Sequence, residues 1–170
     1  MEHSTCEETF SEAMQRIKYG AFLTVRAGAE KNVMTIGWAM MGILWNKPMV
    51  MVAVRPTRFT YDIIEKAADF SISIPLVSMT GELNLCGTKS GRTIDKFKEC
   101  RLKVVAARKT HTPVLKIPGL HYECRIVYKS AIHPQALHKD CQALYPMKDY
   151  HMLYYGEILA WYETTADNAE

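Results

Sequence analysis

The segment at residues 55–61, Arg-Pro-Thr-Arg-Phe-Thr-Tyr, contains residue types that bind phosphate. Two arginines (Arg55 and Arg58) and two hydroxyl residues (Thr57 and Thr60) occur where an apolar run stops and a helix is predicted to start. A helix N-terminus favours anions through its free N–H groups and its dipole, and a phosphate monoester carries about −1.5 to −2 charges at pH 7. The segment therefore predicts phosphate binding. The alternative, compatible with it, is that Thr57 or Thr60 caps the helix while both arginines face solvent.

A second segment, residues 32–38 (Asn-Val-Met-Thr-Ile-Gly-Trp), mixes Thr and Gly with large apolar residues. Such a strand could offer backbone N–H groups and the hydroxyl of Thr35 to a flat polar ligand. The alternative is a core strand with one satisfied hydroxyl, and composition alone favours that alternative.

A third segment is bounded by glycines, at residues 87–92 (Gly-Thr-Lys-Ser-Gly-Arg), with Asp95-Lys-Phe97 after it. The GxxxxGK[ST] spacing of a phosphate-binding P-loop is absent, and GxGxxG occurs nowhere in the chain. Lys, Ser and Arg in such a loop can still surround a phosphate. Most loops of this composition are solvated turns, which is the alternative here.

His151 stands alone near the start of a predicted strand, where a histidine is more often a surface or core-edge residue than a catalytic one. The five cysteines are scattered, with no CxxC pair and no His–Cys spacing typical of zinc, so no metal site is predicted. Cys86, beside Gly87, could be reactive, although a buried inert thiol is the default expectation.

The elements that must position these residues are short. Phe10, Ala13, Met14 and Ile17 have the i, i+3, i+4, i+7 spacing of an amphipathic helix, which Gly20 would end. Strands are predicted at residues 21–26, 33–38, 49–55, 69–75, 122–128 and 152–162, with Gly28, Gly42 and Pro48 between the first three, and a second helix from Pro56-Thr57. This pattern predicts a mainly β protein, a barrel with a few short helices. A doubly wound α/β sheet would need longer helices alternating with the strands.

Length and charge restrict the class of protein. The 170 residues (19.4 kDa) predict a single domain over residues 1–170, with a short polar tail at 163–170. The net charge is 21 − 18 = +3 without a dense basic run, so nucleic acid is not an expected partner. The longest apolar-rich stretch, residues 33–45, is shorter than the roughly 18–20 residues of a membrane helix, and the first residues lack a signal core. We therefore expect a cytoplasmic protein without membrane contact.

Taken in order, these segments resemble the flavin reductase-like, FMN-binding split-barrel family, in particular its flavoredoxin-type branch. The resemblance runs from about Ala13 to Ala160 and is carried by residues 32–38, 55–61, 69–75, 86–92 with 95–97, and 151–157. It implies a Greek-key split β-barrel that forms a homodimer and binds FMN near the subunit interface.

The resemblance also implies roles for individual residues. Thr35 and the backbone of Met34, Ile36 and Gly37 would face the isoalloxazine ring and ribityl chain. Asn32, at the start of the same segment, would also bind the cofactor. Arg58, Thr60, Ser90 and Lys96 would hold the phosphate, while Arg55, Cys86 and Gly87 would line the pocket. His151 would lie near the ring or the nicotinamide. Around His151 the sequence reads Tyr-His-Met-Leu-Tyr, where many relatives have Asp-His followed by Thr and small apolar residues, and Gly37 stands where Ser is frequent.

The chemistry implied by the resemblance is hydride transfer from NAD(P)H to FMN, followed by electron transfer to a flavin or another acceptor. One alternative is a flavoredoxin-type electron carrier that takes electrons from a redox protein partner without oxidising NAD(P)H directly. Another is a split barrel that has lost flavin or binds a different flat cofactor, such as haem.

Overall fold

The computed structural model describes residues 5–165, and within them the chain folds mainly into β-strands. The strands are β1 (Ala21–Ala27), β2 (Glu30–Ile36), β3 (Ala39–Leu44), β4 (Lys47–Val54), β5 (Asp69–Pro75), β6 (Val104–Val105), β7 (Val114–Leu115), β8 (Gly119–Ala131) and β9 (Met152–Thr164). The α-helices are α1 (Phe10–Ile17), α2 (Phe59–Ile64), α3 (Thr80–Thr88), α4 (Lys96–Glu99) and α5 (Lys139–Gln142), and short 3-10 helices span Glu7–Thr9 and Pro134–Ala136. These elements confirm the prediction of a mainly β protein with a few short helices.

Seven strands form one sheet in the order β2-β1-β5-β8-β9-β4-β3, and every neighbouring pair is antiparallel. β6 and β7 form a separate two-stranded sheet. The pairing of β8 with β9 shifts register between Glu123 and Cys124 and again between Ile126 and Tyr128. Such irregularities bend a strand and increase its twist, which allows a sheet of this length to curl.

The core lies inside the curled sheet and under α1. Ala13 and Ile17 of α1 are buried against it, and Phe10 and Met14 pack beside them, which confirms the predicted amphipathic helix. Gly20 follows the helix with φ 116°, a conformation that favours glycine.

β5 is buried on both faces, so its alternating serines also lie inside the protein. Ser71 Oγ donates to the carbonyl of Pro113 (2.8 Å), and Ser73 Oγ lies 3.0 Å from Nδ1 of His121. The apolar–polar alternation of β5 therefore corresponds to two buried faces, one apolar and one polar. The polar face supplies the hydrogen-bond partners that buried hydroxyls need.

The β3–β4 hairpin is the largest departure from the sequence prediction, which placed Gly42 and Pro48 between strands. Gly42 lies within β3, opposite Met49, and Pro48 is the second residue of β4. Pro48 precedes the first residue of β4 that pairs with β9, where its missing N–H costs no ladder hydrogen bond. Trp45 and Asn46 form the turn with φ values of 54° and 55°, the conformation of a type I′ hairpin turn.

Other boundaries differ by a few residues. β2 ends at Ile36 and β4 at Val54, while α2 begins at Phe59, later than Pro56-Thr57. The predicted polar tail is wrong for Glu163 and Thr164, because β9 continues through Thr164 in pairing with β8, and residues 166–170 lie outside the described chain. Within residues 5–165, no helix is long and apolar enough to cross a membrane.

Candidate functional site

A solvent-open cleft lies where β2 and β4 end. Its volume is about 140 Å³. The lining residues are Met34, Thr35, Ile36, Gly37, Trp38, Ala53, Arg55, Arg58 and His151. The structure thus brings seven of the residues predicted from sequence into one cleft, although they come from three separate segments.

Thr35 and Gly87 fix one wall of the cleft. Thr35 Oγ1 donates to the carbonyl of Leu83 in α3 (2.6 Å), which leaves its oxygen able only to accept a further hydrogen bond. A Cβ at Gly87 would lie 3.3 Å from Thr35 Cβ, so a side chain there would press against the strand. β2 is an edge strand, and alternate backbone N–H groups along an edge have no strand partner. Donors for a ligand on this side are therefore backbone N–H groups.

Arg58 and Arg55 bring positive charge to the cleft. The Arg58 side chain is exposed and donates one hydrogen bond, from Nη1 to the carbonyl of Gly87 (3.0 Å). Since a guanidinium carries five N–H donors, others stay available to an anion. Arg55 pairs with Asp149 (2.5 Å) and donates to the carbonyl of Leu144 (3.2 Å).

Thr60 and Lys96, two of the predicted phosphate ligands, are buried in this structure, at 1% and 4% exposure. Thr60 Oγ1 accepts from Asn32 Nδ2 (2.9 Å), and Lys96 Nζ donates to the carbonyl of Cys86 (2.7 Å). Burial lowers the pKa of the Lys96 ammonium group. Both residues hold the cleft wall together, and their direct contact with phosphate stays a prediction.

The N-terminus of α2 has no side-chain cap. Its N-cap residue is Arg58, without a side-chain capping hydrogen bond, so neither Thr57 nor Thr60 has the capping role considered from sequence. Ser90, in the adjoining loop, is half-buried, and its Oγ accepts from the backbone N–H of Arg92 (3.2 Å). Of the four predicted phosphate ligands, Arg58 and Ser90 are the ones that solvent reaches.

A second, larger cleft of about 460 Å³ is lined by the Gly91–Phe97 segment, by Phe59 and by residues 29–32. Asn32 and Lys96 line this cleft and not the first. Thr60, Cys86, Gly87 and Ser90 line neither. Gly91, which lines the second cleft, is packed so closely that an added Cβ would lie 2.4 Å from Asn32 Oδ1 and 2.7 Å from Phe59 Cδ1. Seven of the predicted residues therefore line the first cleft, and the other six lie outside it.

His151 also lines the first cleft, among aromatic rings. Its ring centroid is 4.7 Å from that of Trp38, and its Nδ1 shares a hydrogen bond with the Tyr145 hydroxyl (2.9 Å). Burial, together with the charge of Arg55, lowers the pKa of His151 to about 4. The imidazole is therefore neutral at pH 7, and can exchange hydrogen bonds with a ligand but cannot serve as a standing cationic acid.

Three residues that contact His151 or Arg55 were not among the predicted site residues. Trp38 closes the 32–38 segment, so its place could have been read from the motif. Tyr145 and Asp149 belong to a loop whose sequence has no recognisable pattern. Both contact Arg55, which lines the cleft: Asp149 forms an ion pair with it, and its guanidinium carbon lies 5.2 Å from the Tyr145 ring centroid. Within residues 5–165, no group of three or more His, Cys, Asp or Glu residues is placed to hold a metal ion.

Comparison with known proteins agrees with this geometry. The sequence matches the family described as "Flavin reductase like domain" over residues 14–170. An uncharacterized protein of Pyrococcus abyssi is 31% identical over 136 residues, which is 79% of this chain and 67% of that protein.

Two solved structures share the fold. Flavoredoxin from Methanosarcina acetivorans superposes with a TM-score of 0.67 at 25% identity, covering 85% of this chain and 68% of the flavoredoxin. An FMN-binding protein from Thermus thermophilus, solved with 1-cyclohex-2-enone, gives a TM-score of 0.67 at 23% identity over 85% of this chain and 69% of its own. The sheet is thus that of the split-barrel flavin reductases. On the match over residues 14–170, the chain belongs to the flavin reductase-like family.

Proposed function

We propose that the protein binds FMN in the first cleft and is an oxidoreductase that takes electrons from NAD(P)H and passes them to a flavin or another acceptor. The observation that carries the proposal is the convergence of an edge strand, two arginines and an aromatic wall in one cleft. The family match and the FMN-binding Thermus thermophilus neighbour support the choice of cofactor.

The residues fit the chemistry of FMN. An exposed Arg58 with unused donors suits a phosphate dianion. Met34, Ala53 and Trp38 offer apolar surface for a flat ring, with N–H groups of β2 along its polar edge. When bound, FMN supplies a hydride acceptor and an electron store.

The chain's own contribution to the reaction is electrostatic and positional. With FMN bound, Arg55 and the N–H groups of β2 would stabilise negative charge on the flavin ring. His151, which is neutral, orients a ligand through its ring and the hydrogen bond anchored by Tyr145. In this role His151 does not have to donate a proton, so it needs no pKa near 7.

A second copy of the chain would complete the site. The cleft's volume of about 140 Å³ is small beside the roughly 300–1,000 Å³ typical of ligand pockets. Next to it lies an outward face of the sheet on which the register aligns Met40, Met51, Tyr155 and Tyr128. Tyr128 is 50% exposed, and Trp45 packs edge-on against it with ring centroids 6.5 Å apart. Exposed apolar patches of this kind mark association surfaces, which supports a homodimer with FMN near the interface.

The competing function is an FMN-bound electron carrier served by a redox protein partner. The match to the Methanosarcina acetivorans flavoredoxin favours it. The two functions differ in whether NADH or NADPH alone reduces the protein.

Anaerobic mixing of the FMN-loaded protein with NADH, and separately with NADPH, tests the proposal. Bleaching of the visible flavin absorption supports the reductase. Absorption that persists until dithionite is added favours the carrier. If the protein neither co-purifies with flavin nor binds added FMN, both functions are wrong, and a haem spectrum would identify the remaining alternative.

A further inference from the structure

Cys86 and Cys100 lie side by side beneath the cleft wall, and the proposed flavin chemistry uses neither thiol. Cys86 is near the C-terminal end of α3, and Cys100 is the residue that follows α4. Their Sγ atoms are 3.9 Å apart, and both thiols are free. A disulfide needs an S–S distance of about 2.03–2.05 Å, so the two sulfurs would have to move about 1.9 Å closer to form the bond.

The two thiols differ in access to solvent. Cys86 is 1% exposed, whereas Cys100 is half-buried and lines a cleft of about 280 Å³. The other residues of that cleft are Gly81, Glu82, Leu85, Glu99 and Arg101. A small reagent would therefore meet Cys100 first, with Cys86 directly behind it, the arrangement of an attacked thiol and a resolving thiol.

We infer that Cys86 and Cys100 form a redox-active dithiol that a small hydroperoxide oxidises reversibly to a disulfide. The Cys100 sulfur attacks one oxygen of hydrogen peroxide, the O–O bond breaks, one water leaves, and Cys100 becomes a sulfenic acid. The Cys86 sulfur then attacks the Cys100 sulfur and displaces the hydroxyl, which leaves as a second water with the Cys86 proton. Two thiols are oxidised to one disulfide, and hydrogen peroxide is reduced to two waters.

The charged groups around the pair set its pH dependence. Burial raises the pKa of Cys86 to about 12 and also raises that of Cys100. Glu82 and Glu99 raise the Cys100 pKa further, and Lys96 opposes them, while Arg101 also lines the cleft. Since the thiolate is the nucleophile, oxidation should be slow at pH 7 and should accelerate as the pH rises to 9.

Oxidation would be transmitted to the cofactor cleft through the backbone. The Cys86 carbonyl accepts from Lys96, and the next carbonyl, that of Gly87, accepts from Arg58. A disulfide would close the fifteen residues from 86 to 100 into a ring that contains the Gly91–Phe97 segment, which lines the second cleft. Closing a ring of about this size restricts the unfolded chain and should raise Tm by about 6–12 °C.

The test uses the full chain without added flavin, so it is independent of the proposed function. The protein is treated with hydrogen peroxide at pH 7 and pH 9, alkylated, digested and mapped by mass spectrometry. We expect a linked peptide pair containing Cys86 and Cys100, formed faster at pH 9, removed by dithiothreitol and accompanied by the rise in Tm.

Two variants provide the controls. Cys141→Ser removes an exposed cysteine away from the pair and should form the same link. Cys100→Ser should form no link and should leave Cys86 reduced, because Cys86 is buried. The inference is overturned if wild type accumulates Cys100 sulfinic acid without a link, if all thiols stay reduced, or if the link involves Cys141.

Discussion

Replacing Arg58 by alanine removes the exposed guanidinium that we assign to the FMN phosphate. In the free protein this side chain makes one hydrogen bond, to the Gly87 carbonyl, so the fold should lose about 1 kcal/mol or less. Hydrogen bonds to a charged group contribute about 1.5–3 kcal/mol, which predicts FMN binding weaker by about 10- to 150-fold. Because part of the interaction is between exposed charges, the difference in FMN affinity between wild type and Arg58→Ala should become smaller as salt is added.

The assay is a titration of flavin-free protein with FMN, followed by quenching of flavin fluorescence at two salt concentrations. Arg26→Ala is a matched control, because Arg26 is also exposed and also donates to a glycine carbonyl, that of Gly28 (2.9 Å), away from the first cleft. Riboflavin, which lacks the phosphate, should bind the Arg58→Ala variant and wild type equally. Equal FMN affinity of wild type and Arg58→Ala, or an equal loss in Arg26→Ala, would refute the phosphate assignment.

Three further predictions concern stability and assembly. His121 and His151 have pKa values lowered to about 4, chiefly by burial, against about 6.5 in the unfolded chain. Because the unfolded chain binds protons more tightly, the stability that each histidine contributes should fall by about 2 kcal/mol as the pH is lowered from 7.5 to 5, measured by urea unfolding. Gly91→Ala should lower stability by about 1–3 kcal/mol, because the added Cβ meets atoms at 2.4 and 2.7 Å, whereas Gly81→Ala meets nothing within 4 Å and should leave Tm unchanged or slightly raised. Tyr128→Lys should convert a dimer into a monomer in light scattering and weaken FMN binding.

Each of these predictions has an outcome that contradicts it. The histidine pKa values are wrong if the unfolding free energy is flat between pH 7.5 and 5. A Gly91→Ala variant as stable as Gly81→Ala would show that Asn32 can move aside. The dimer face is wrong if Tyr128→Lys stays dimeric, or if Tyr19→Lys, a change at an exposed tyrosine just after α1, disrupts assembly equally.

Sequence periodicity predicts the parts of the fold in which local pattern and tertiary burial agree. The stripe from Phe10 to Ile17 forms α1, and the apolar run from Met49 lies within a central strand, as expected. The β3–β4 hairpin escaped prediction because its turn is Trp45-Asn46, where a glycine would have been the usual signal for positive φ. Gly42 and Pro48 suggested breaks between strands. Near the edge of the sheet, however, neither residue interrupts the hydrogen-bond ladder between neighbouring strands.

The part of the site that lies in local sequence motifs was predictable. Arg58 and Thr35 belong to local motifs whose residue types are those that bind an anion or a flat ligand. Burial of Thr60 and Lys96 depends on contacts with residues up to 28 positions away along the chain, which no local pattern encodes. Asp149 reaches Arg55 across 94 residues, so its role follows only from the folded chain.

The position of β2 at the end of the sheet has a consequence for solubility. An unpaired strand edge is a template on which another chain can add its own strand, and proteins guard such edges with charge. Glu30 and Lys31 are exposed and guard the first half of β2, but the second half, from Met34 to Ile36, carries no charge and borders the cleft. A ligand in the cleft would occupy the donors that an intruding strand needs. The bound ligand would then act as the missing neighbour of the strand, and flavin-free protein should aggregate more readily than loaded protein.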